Sequence, residues 1–236
     1  MPETADVGLE IAELTDALAG RASVPDRIAH VLRDAIVSGK LGPGGRIVES
    51  RIARQLGIGQ PTVREALKTL ASEGLVVHSP NRGYCVQSLT AHEVEQIYEL
   101  RTEWEPLAVE LALRRRSSWS AEELAGILKG LKQAARDGDI EQYYHFDLKF
   151  HQALWKFSGN PFLEKALSQI TVPVFAFWMI RQLREHSLDL TANARTHEKI
   201  FKVLLAGDPR AAREATRAAL ESFSKLVGQS AKQSDL

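Results

Sequence analysis

The fold of the N-terminal third is decided by residues 49–77, ESRIARQLGIGQPTVREALKTLASEGLVV. Apolar residues recur at helical spacing over 49–56 and again over 61–73, and this spacing predicts two short helices. Gly57-Ile58-Gly59 predicts a tight turn between them. Pro61 suits the first turn of the second helix, because its missing N–H needs no partner there. Two helices joined by so short a turn are typical of a helix-turn-helix.

The flanking residues extend this motif into a winged helix. Upstream, a helix is predicted from Pro25 to Gly39, with Ser23 as its N-cap. Downstream, residues 75–77 and 84–86 predict two strands joined by a turn that contains Pro and Gly. In a winged helix-turn-helix, one helix braces the domain and the next lies in the major groove of DNA.

The polar residues of the second helix and of the hairpin tip are the candidates for DNA contact. Arg64 is placed to reach a base edge or a phosphate, and Gln60 is long enough to read adenine through its amide. The complete predicted set is Gln60, Thr62, Arg64, Lys68, Asn81 and Arg82. The alternative is a small helical subdomain, or a protein–protein module, whose basic residues are merely solvated.

Charge and composition are compatible with DNA binding but do not establish it. The 236-residue chain has no net charge, yet residues 1–23 carry −4 and residues 24–90 carry +4. The single cysteine, Cys85, excludes a disulfide within the chain and fits a reducing cytoplasm. We find no apolar run long enough to span a membrane and no basic leader typical of secretion, so we expect a cytoplasmic protein.

Residues 24–90 resemble the winged-helix domain of GntR-type transcription regulators. The matching runs are GQPTVREAL (59–67), LASEGLV (70–76) and NRGYCV (81–86). The usual family form of the first run is SRTPVREAL, so Gly59 and Gln60 replace its Ser-Arg pair, and Pro61-Thr62 inverts its Thr-Pro. The resemblance implies a dimer on a palindromic operator. Because the family's first arginine is missing while Arg64 remains, we expect an operator that differs from the commonest half-site.

From Ala91 onward every pattern is helical. The predicted helices span about 92–116, 120–136, 140–157, 161–185, 190–206 and 209–228. The fold class is therefore mainly α, with an N-terminal winged helix-turn-helix and a C-terminal all-helical antiparallel bundle. We predict a flexible segment over 1–22, a DNA-binding domain over 23–90, and an effector-binding and dimerisation domain over 91–230.

One carboxylate and two imidazole side chains lie on apolar helical faces of the second domain. Asp147 and His151 are four residues apart and share one face, and His197 has similar apolar surroundings. A carboxylate on such a face is costly unless it is paired or bound to a metal. The three residues could hold Zn²⁺ or a related divalent ion. The alternative, which spacing alone favours, is a buried Asp147–His151 or Asp147–His197 hydrogen bond with no metal.

The second half resembles the FCD ligand-binding domain found in the FadR-like branch of GntR regulators. The matching runs are DLKFH (147–151), SGN (158–160), HEKIF (197–201) and AGD (206–208). In metal-binding members of that family an Asp and three His hold the ion, and Asp147, His151 and His197 fall on three of those positions. The fourth position is Ala219, which cannot bind a metal. The resemblance therefore implies at most a weaker site, completed by water or by an effector.

Arg101 is a further inward-facing polar residue, on the same face as Val94, Ile97 and Ala108. The resemblance implies that an arginine here contacts the effector, and a guanidinium offers a bidentate fork to a carboxylate. The alternative is an ion pair with Glu105, one helical turn away. We expect a small organic acid as effector.

The sequence thus predicts a regulator, in the family's commoner mode a repressor, that works as a homodimer on double-stranded DNA. A rival hypothesis is a metal-dependent hydrolase that uses Asp147, His151 and His197. The sequence contains no HExxH motif and no nucleophile elbow, so we assign no catalytic residue. A second rival is a helical adaptor without operator or ligand.

Overall fold

The computed structural model describes residues 23–37, 39–79, 83–115, 120–185 and 188–234, excluding the side chains of 184 and 226–234. The predicted flexible segment over 1–22 and the hairpin-tip residues Asn81 and Arg82 lie outside the described residues.

The described residues are mainly helical, which confirms the predicted fold class. In chain order the elements are α1 (Val24–Val37), β1 (Arg46–Ile47), α2 (Glu49–Leu56), α3 (Gln60–Ser72), β2 (Val76–Ser79), β3 (Gly83–Val86), α4 (Ala91–Arg115), α5 (Ala121–Asp137), α6 (Ile140–Phe157), α7 (Pro161–Glu185), α8 (Leu190–Ala206) and α9 (Pro209–Ser234). None of the described helices combines the length and the apolar composition that a membrane span needs.

The chain separates into two compact units. The first contains the described residues up to Ser88 together with Ala176–Arg184 of α7, and the second contains the other described residues. Ala176 and Ile180 belong to the same hydrophobic core as α1 and α3. No pattern in the sequence indicated that part of α7 would join the first unit.

The first unit is a winged helix built on α3. Val63, Ala66, Leu67 and Leu70 are fully buried, as the spacing of the apolar residues predicts. The strands form an antiparallel sheet in the order β1-β3-β2. Strand β1, which pairs Ile47 with Tyr84, was not predicted.

The turn between α2 and α3 depends on glycine. Gly57 has a φ of 64°, a left-handed conformation that other residues adopt only with strain, and its N–H caps the end of α2. Gly59 then precedes α3, which begins at Gln60, one residue before the predicted start. Upstream, Ser23 Oγ accepts a hydrogen bond from Asp26 N at 3.3 Å, as expected for the N-cap of α1.

The second unit is a helical bundle whose helices begin at side-chain caps. The oxygens of Ser120, Asp139 and Asp189 each accept a hydrogen bond from the backbone N–H three residues on. The core between α4, α5, α6, α8 and α9 contains Phe150, Leu154, Ile200 and Leu204, among others. Helices α6, α7 and α8 match their predicted bounds, whereas α9 continues beyond the predicted end at 228.

Candidate functional site

Helix α3 presents one polar edge of the first unit. Its four core residues are buried, whereas Gln60, Arg64 and Lys68 are exposed and Thr62 is half-buried. Gly59 occupies the N-cap position of α3, and no side chain of the described residues caps this end of the helix. In the first turn, Pro61 has no N–H and Thr62 N donates to the carbonyl oxygen of Gly59 at 3.1 Å, so the exposed side chains are the candidates for contact with a phosphate.

The guanidinium of Arg64 is held by a carboxylate from the neighbouring helix. Arg64 Nε and Nη2 both donate to Glu49 Oε2, at 3.1 Å and 2.8 Å. The hydrogen bonds and the negative charge of Glu49 raise the pKa of Arg64 above its ordinary value. The Arg64 side chain stays 52% exposed in this pair, and that of Glu49 is 18% exposed. Arg64 is thus both oriented and open to solvent.

Lys68 forms a weaker local pair. Its Nζ donates to Glu65 Oε1 at 2.8 Å, and both side chains are 59% exposed. The hydrogen bond to Glu65 raises the pKa of Lys68, which keeps the ammonium charged. Exposed pairs of this kind contribute little free energy, so Lys68 can exchange Glu65 for another anion.

In the second unit, α6 and α8 bring the predicted acidic and imidazole side chains together. Asp147 Oδ1 lies 2.8 Å from His197 Nε2 and 3.6 Å from His151 Nε2. All three residues are buried, and one ligand atom of each lies within 4.8 Å of the others. The described residues thus contain a compact set of one oxygen and two nitrogens that could hold a divalent ion.

The second ring nitrogen of each histidine determines what the first can do. His151 Nδ1 lies 2.5 Å from Glu105 Oε2, and His197 Nδ1 lies 3.1 Å from the carbonyl oxygen of Asn193. Both partners only accept hydrogen bonds, so each Nδ1 carries the proton. In the neutral ring each Nε2 then has a lone pair, and both lone pairs belong to the atoms nearest Asp147. Metal-binding histidines are oriented by such partners.

Asp147 Oδ1 is therefore a buried oxygen that needs a positive partner. It has no hydrogen bond of acceptable geometry among the described residues, although His197 Nε2 is 2.8 Å away. Burial alone would raise the pKa of Asp147, but the charge and hydrogen bond of His197 have the larger effect and lower it. Conversely, burial opposes protonation of His197, while Asp147 raises its pKa. The positive partner is either a proton shared with His197 or a bound cation.

Arg101 and Glu105 form the buried ion pair that was the alternative for Arg101. Arg101 Nε donates to Glu105 Oε1 at 2.6 Å, and the two side chains are only 4% and 2% exposed. Burial opposes ionisation of Glu105, but Arg101 and His151 outweigh it and lower its pKa to about 2. The guanidinium also lies over the rings of Tyr98 and Phe175, at 4.7 Å and 5.3 Å from their centroids.

Two phenols beside Asp147 are buried without hydrogen-bond partners among the described residues. Tyr143 and Tyr144 precede Asp147 by about one turn of α6, and neither hydroxyl is paired. Burial, and then the charge of Asp147, raise the pKa of both phenols well above the ordinary value. Both hydroxyls therefore stay protonated and can donate to a ligand that carries acceptor oxygens.

Ala219, at the expected fourth ligand position, packs against the apolar cluster around Phe150 and supplies no ligand atom. A surface groove of about 850 Å³ lies elsewhere in the unit, lined by residues of α5, α6 and α7 such as Lys149 and Trp155. Its lining does not include the Asp147 cluster, whose buried donors and charges make it the stronger candidate site.

Comparison with known proteins places both units in one class of regulator. The model of the gntR family of bacterial regulatory proteins matches residues 25–86, and the FCD domain model matches residues 96–222. The FCD match covers more than half of the chain. The chain belongs to the GntR family of regulators with an FCD domain.

Relatives of this GntR-family chain are transcription regulators. It is 28% identical over 184 residues to the regulator YdhC of Bacillus subtilis, covering 78% of this chain and 81% of YdhC. It is 26% identical over 191 residues to the gluconate operon transcriptional repressor of Bacillus subtilis, covering 80% and 78%. The structure of E. coli McbR/YncC aligns with a TM-score of 0.67 at 24% identity, over 89% of this chain and 99% of that one, and shows the same fold.

The GntR family membership establishes the function in outline. The chain is a DNA-binding transcription regulator, and its FCD domain makes it responsive to an effector. Its relatives are regulators and not enzymes, so the hydrolase hypothesis finds no support.

Two site residues of this GntR-family chain were missed by sequence reasoning. The sequence predicts Glu105 only as a partner of Arg101, yet Glu105 also contacts His151, which is 46 residues away. The sequence pattern assigns no role to Glu49, whose carboxylate accepts two hydrogen bonds from Arg64. A signal for Glu49 was available, because both helices of a helix-turn-helix contribute to the edge that faces DNA.

Proposed function

We propose that the protein represses transcription as a homodimer on a palindromic operator, and that a small organic acid bound in the helical unit changes its affinity for DNA. The observation that carries this proposal is the polar edge of α3, where Arg64 and Lys68 stay exposed above a fully buried core. Two such helices related by a two-fold axis match two half-sites. The relative named as a gluconate operon repressor supports repression as the sign of control.

Four residues of α3 are assigned to DNA by this proposal. Arg64 reads a base edge, Lys68 and Thr62 contact phosphates, and Gln60 reads a base or a phosphate from the first turn. Asn81 and Arg82 of the hairpin tip stay in the proposal as minor-groove or backbone contacts, on sequence grounds alone. A regulator of bacterial DNA acts in the cytoplasm, which is the compartment we propose. Residues 23–90 and 91–230 are the proposed DNA-binding and effector domains.

One divalent ion, such as Zn²⁺, is proposed at Asp147, His151 and His197. The unpartnered Oδ1 of Asp147 and the two Nε2 lone pairs beside it fit a cation, and the Nδ1 partners fit the usual support of metal-bound histidines. The ion supplies positive charge to a buried cluster. Ala219 leaves its coordination open to water or to the effector.

The charges of this cluster support an acidic effector. Glu105 and Asp147 carry two negative charges and Arg101 one positive charge, so the cluster has a net charge of −1 when both histidines are neutral. A divalent ion changes this sum to +1, which favours an anion. The unpaired hydroxyls of Tyr143 and Tyr144 add donors for carboxylate or hydroxyl oxygens of the ligand.

The test of the DNA-binding assignment begins with an operator, selected as genomic fragments that the full chain retains. Affinity is then measured by fluorescence anisotropy for the wild type and for Arg64→Ala. We expect a loss of affinity of at least about fivefold, as for a base contact worth about 1–3 kcal/mol.

The matched control is Arg195→Ala, because Arg195 is an exposed arginine of α8 in the other unit. It removes the same charge and should leave operator affinity unchanged. If Arg64→Ala weakens operator binding no more than Arg195→Ala does, α3 is not the reading helix.

A further inference from the structure

The contact between Glu49 and Arg64 uses only one edge of the guanidinium. An arginine side chain has five N–H donors, and Glu49 accepts from Nε and from one N–H of Nη2. Three donors remain, two on Nη1 and one on Nη2, and one N–H of each of these nitrogens forms the end of the fork that points away from Nε. Two parallel N–H donors of this kind match the O6 and N7 acceptors of guanine.

From this geometry we propose that Glu49 is a positioning residue, which holds Arg64 in the orientation that reads guanine. The inference rests on the proposed function, because it takes Arg64 as a base-contacting residue. Glu49 lies in the first turn of α2, and its side chain is much less exposed than that of Arg64. The carboxylate is thus the fixed member of the pair and the long arginine is the oriented one.

Glu49 also acts against the simplest competing use of Arg64. A free exposed arginine binds any phosphate it reaches, because backbone contacts carry no sequence information. A carboxylate 2.8 Å from Nη2 repels a phosphate at the same place but leaves the guanine-reading end free. An exposed ion pair adds little to the stability of the fold, so we expect the effect of Glu49 in specificity.

The opposite interpretation is that Glu49 masks Arg64 and competes with DNA for it. The two interpretations predict opposite signs for Glu49→Gln. If Glu49 positions Arg64, the variant loses affinity for the operator and gains affinity for unrelated DNA. If Glu49 masks Arg64, the variant gains affinity for both and keeps its discrimination.

The experiment compares the selected operator with a scrambled duplex of equal length and composition, using the full chain. We expect Glu49→Gln to lower the ratio of operator to scrambled affinity by at least about fivefold. The matched control is Glu65→Gln, which removes the same charge from the exposed partner of Lys68 and should leave the ratio nearly unchanged. An equal change of the ratio in both variants would overturn the proposal.

A chemical probe separates positioning from a general structural effect. Operators are made with 7-deazaguanine, which lacks the N7 acceptor, at one guanine at a time. At the guanine that Arg64 reads, the wild type should lose affinity and Glu49→Gln should lose much less. Equal losses for the two proteins at every guanine would refute the role of Glu49.

Arg64→Lys repeats the test without touching Glu49, in case Glu49→Gln does not fold. Lysine keeps the charge but has no planar fork, so its discrimination should fall as for Glu49→Gln. Unchanged discrimination in Arg64→Lys contradicts the proposal. A failure of the proposed function is distinguished from a failure of this inference by Arg64→Ala. That variant keeps full operator affinity only if the proposed function is wrong.

Discussion

Replacing Arg101 by methionine should destabilise the second unit strongly at neutral pH and much less in acid. The reason is Glu105, a carboxylate 2% exposed whose pKa is lowered from 4.5 to about 2 by Arg101 and His151 against the effect of burial. Each tenfold change in the acid constant corresponds to about 1.36 kcal/mol. Burial and the charged partners together therefore give ionised Glu105 a net contribution on the order of 3 kcal/mol at pH 7.

The pH dependence follows from the sign of this shift. Because the pKa of Glu105 is lower in the folded state, its contribution is complete above pH 4.5 and is lost as the pH falls toward 2. Arg101→Met removes the main counter-charge, so its stability should fall by about 3 kcal/mol at pH 7 and should approach that of the wild type near pH 2–3.

The assay is urea unfolding of the full chain at several pH values, followed by tryptophan fluorescence. The matched control is Arg217→Met in α9. It breaks an exposed ion pair with Glu103, which lies on the same helix as Arg101. This control should lower the stability far less than Arg101→Met does at pH 7, because exposed ion pairs contribute little. Parallel stability curves for Arg101→Met and the wild type from pH 7 to pH 2–3 would refute the reasoning.

Three further predictions concern other parts of the two units. Zn²⁺ at about 100 times its dissociation constant should stabilise the wild type by about 2.7 kcal/mol in calorimetry. Asp147→Asn should abolish this gain, and an equal gain in both proteins would show that Asp147 is not a ligand. Tyr143→Phe should change stability by less than about 1 kcal/mol, because the lost hydroxyl has no partner, but should weaken effector binding in a ligand screen; unchanged effector affinity would contradict its role. Leu70→Ala should cost about 2–5 kcal/mol in urea unfolding because Leu70 is fully buried, whereas Leu205→Ala, at a residue 55% exposed, should cost far less; similar costs would contradict the assigned core.

Features set by local spacing were predictable from the sequence. The inward face of α3 follows from the 3.6-residue period, which identified all four of its buried residues. The shared face of Asp147 and His151 follows from the same period. In both cases the interacting residues lie within one or two turns, so the backbone geometry alone determines which side chains meet.

Features set by distant pairing were not predictable. Strand β1 has only two residues, Arg46 and Ile47, which is too short for an alternation of polar and apolar side chains to be recognised. It exists because β3 supplies its hydrogen-bond partners. The addition of Ala176–Arg184 to the first unit is likewise a matter of tertiary packing, since α7 is a single continuous helix in the sequence pattern.

The spacing of residues within a helix does not decide whether the cluster of Asp147, His151 and His197 holds a metal. The sequence left two alternatives, a hydrogen bond or an ion, and the contact of 2.8 Å between Asp147 and His197 agrees with both. The partners of the other ring nitrogens also agree with both, because an acceptor at Nδ1 suits a neutral ring with a lone pair on Nε2 and a charged ring with a proton there. Glu105 and the Asn193 carbonyl both accept, so Nε2 has a lone pair for a cation in a neutral ring, whereas Nε2 of a charged His197 donates to Asp147. The group of Asp147, His151 and His197 was predictable from spacing on two helices, but the carboxylate that contacts His151 lies 46 residues away in the chain and was not.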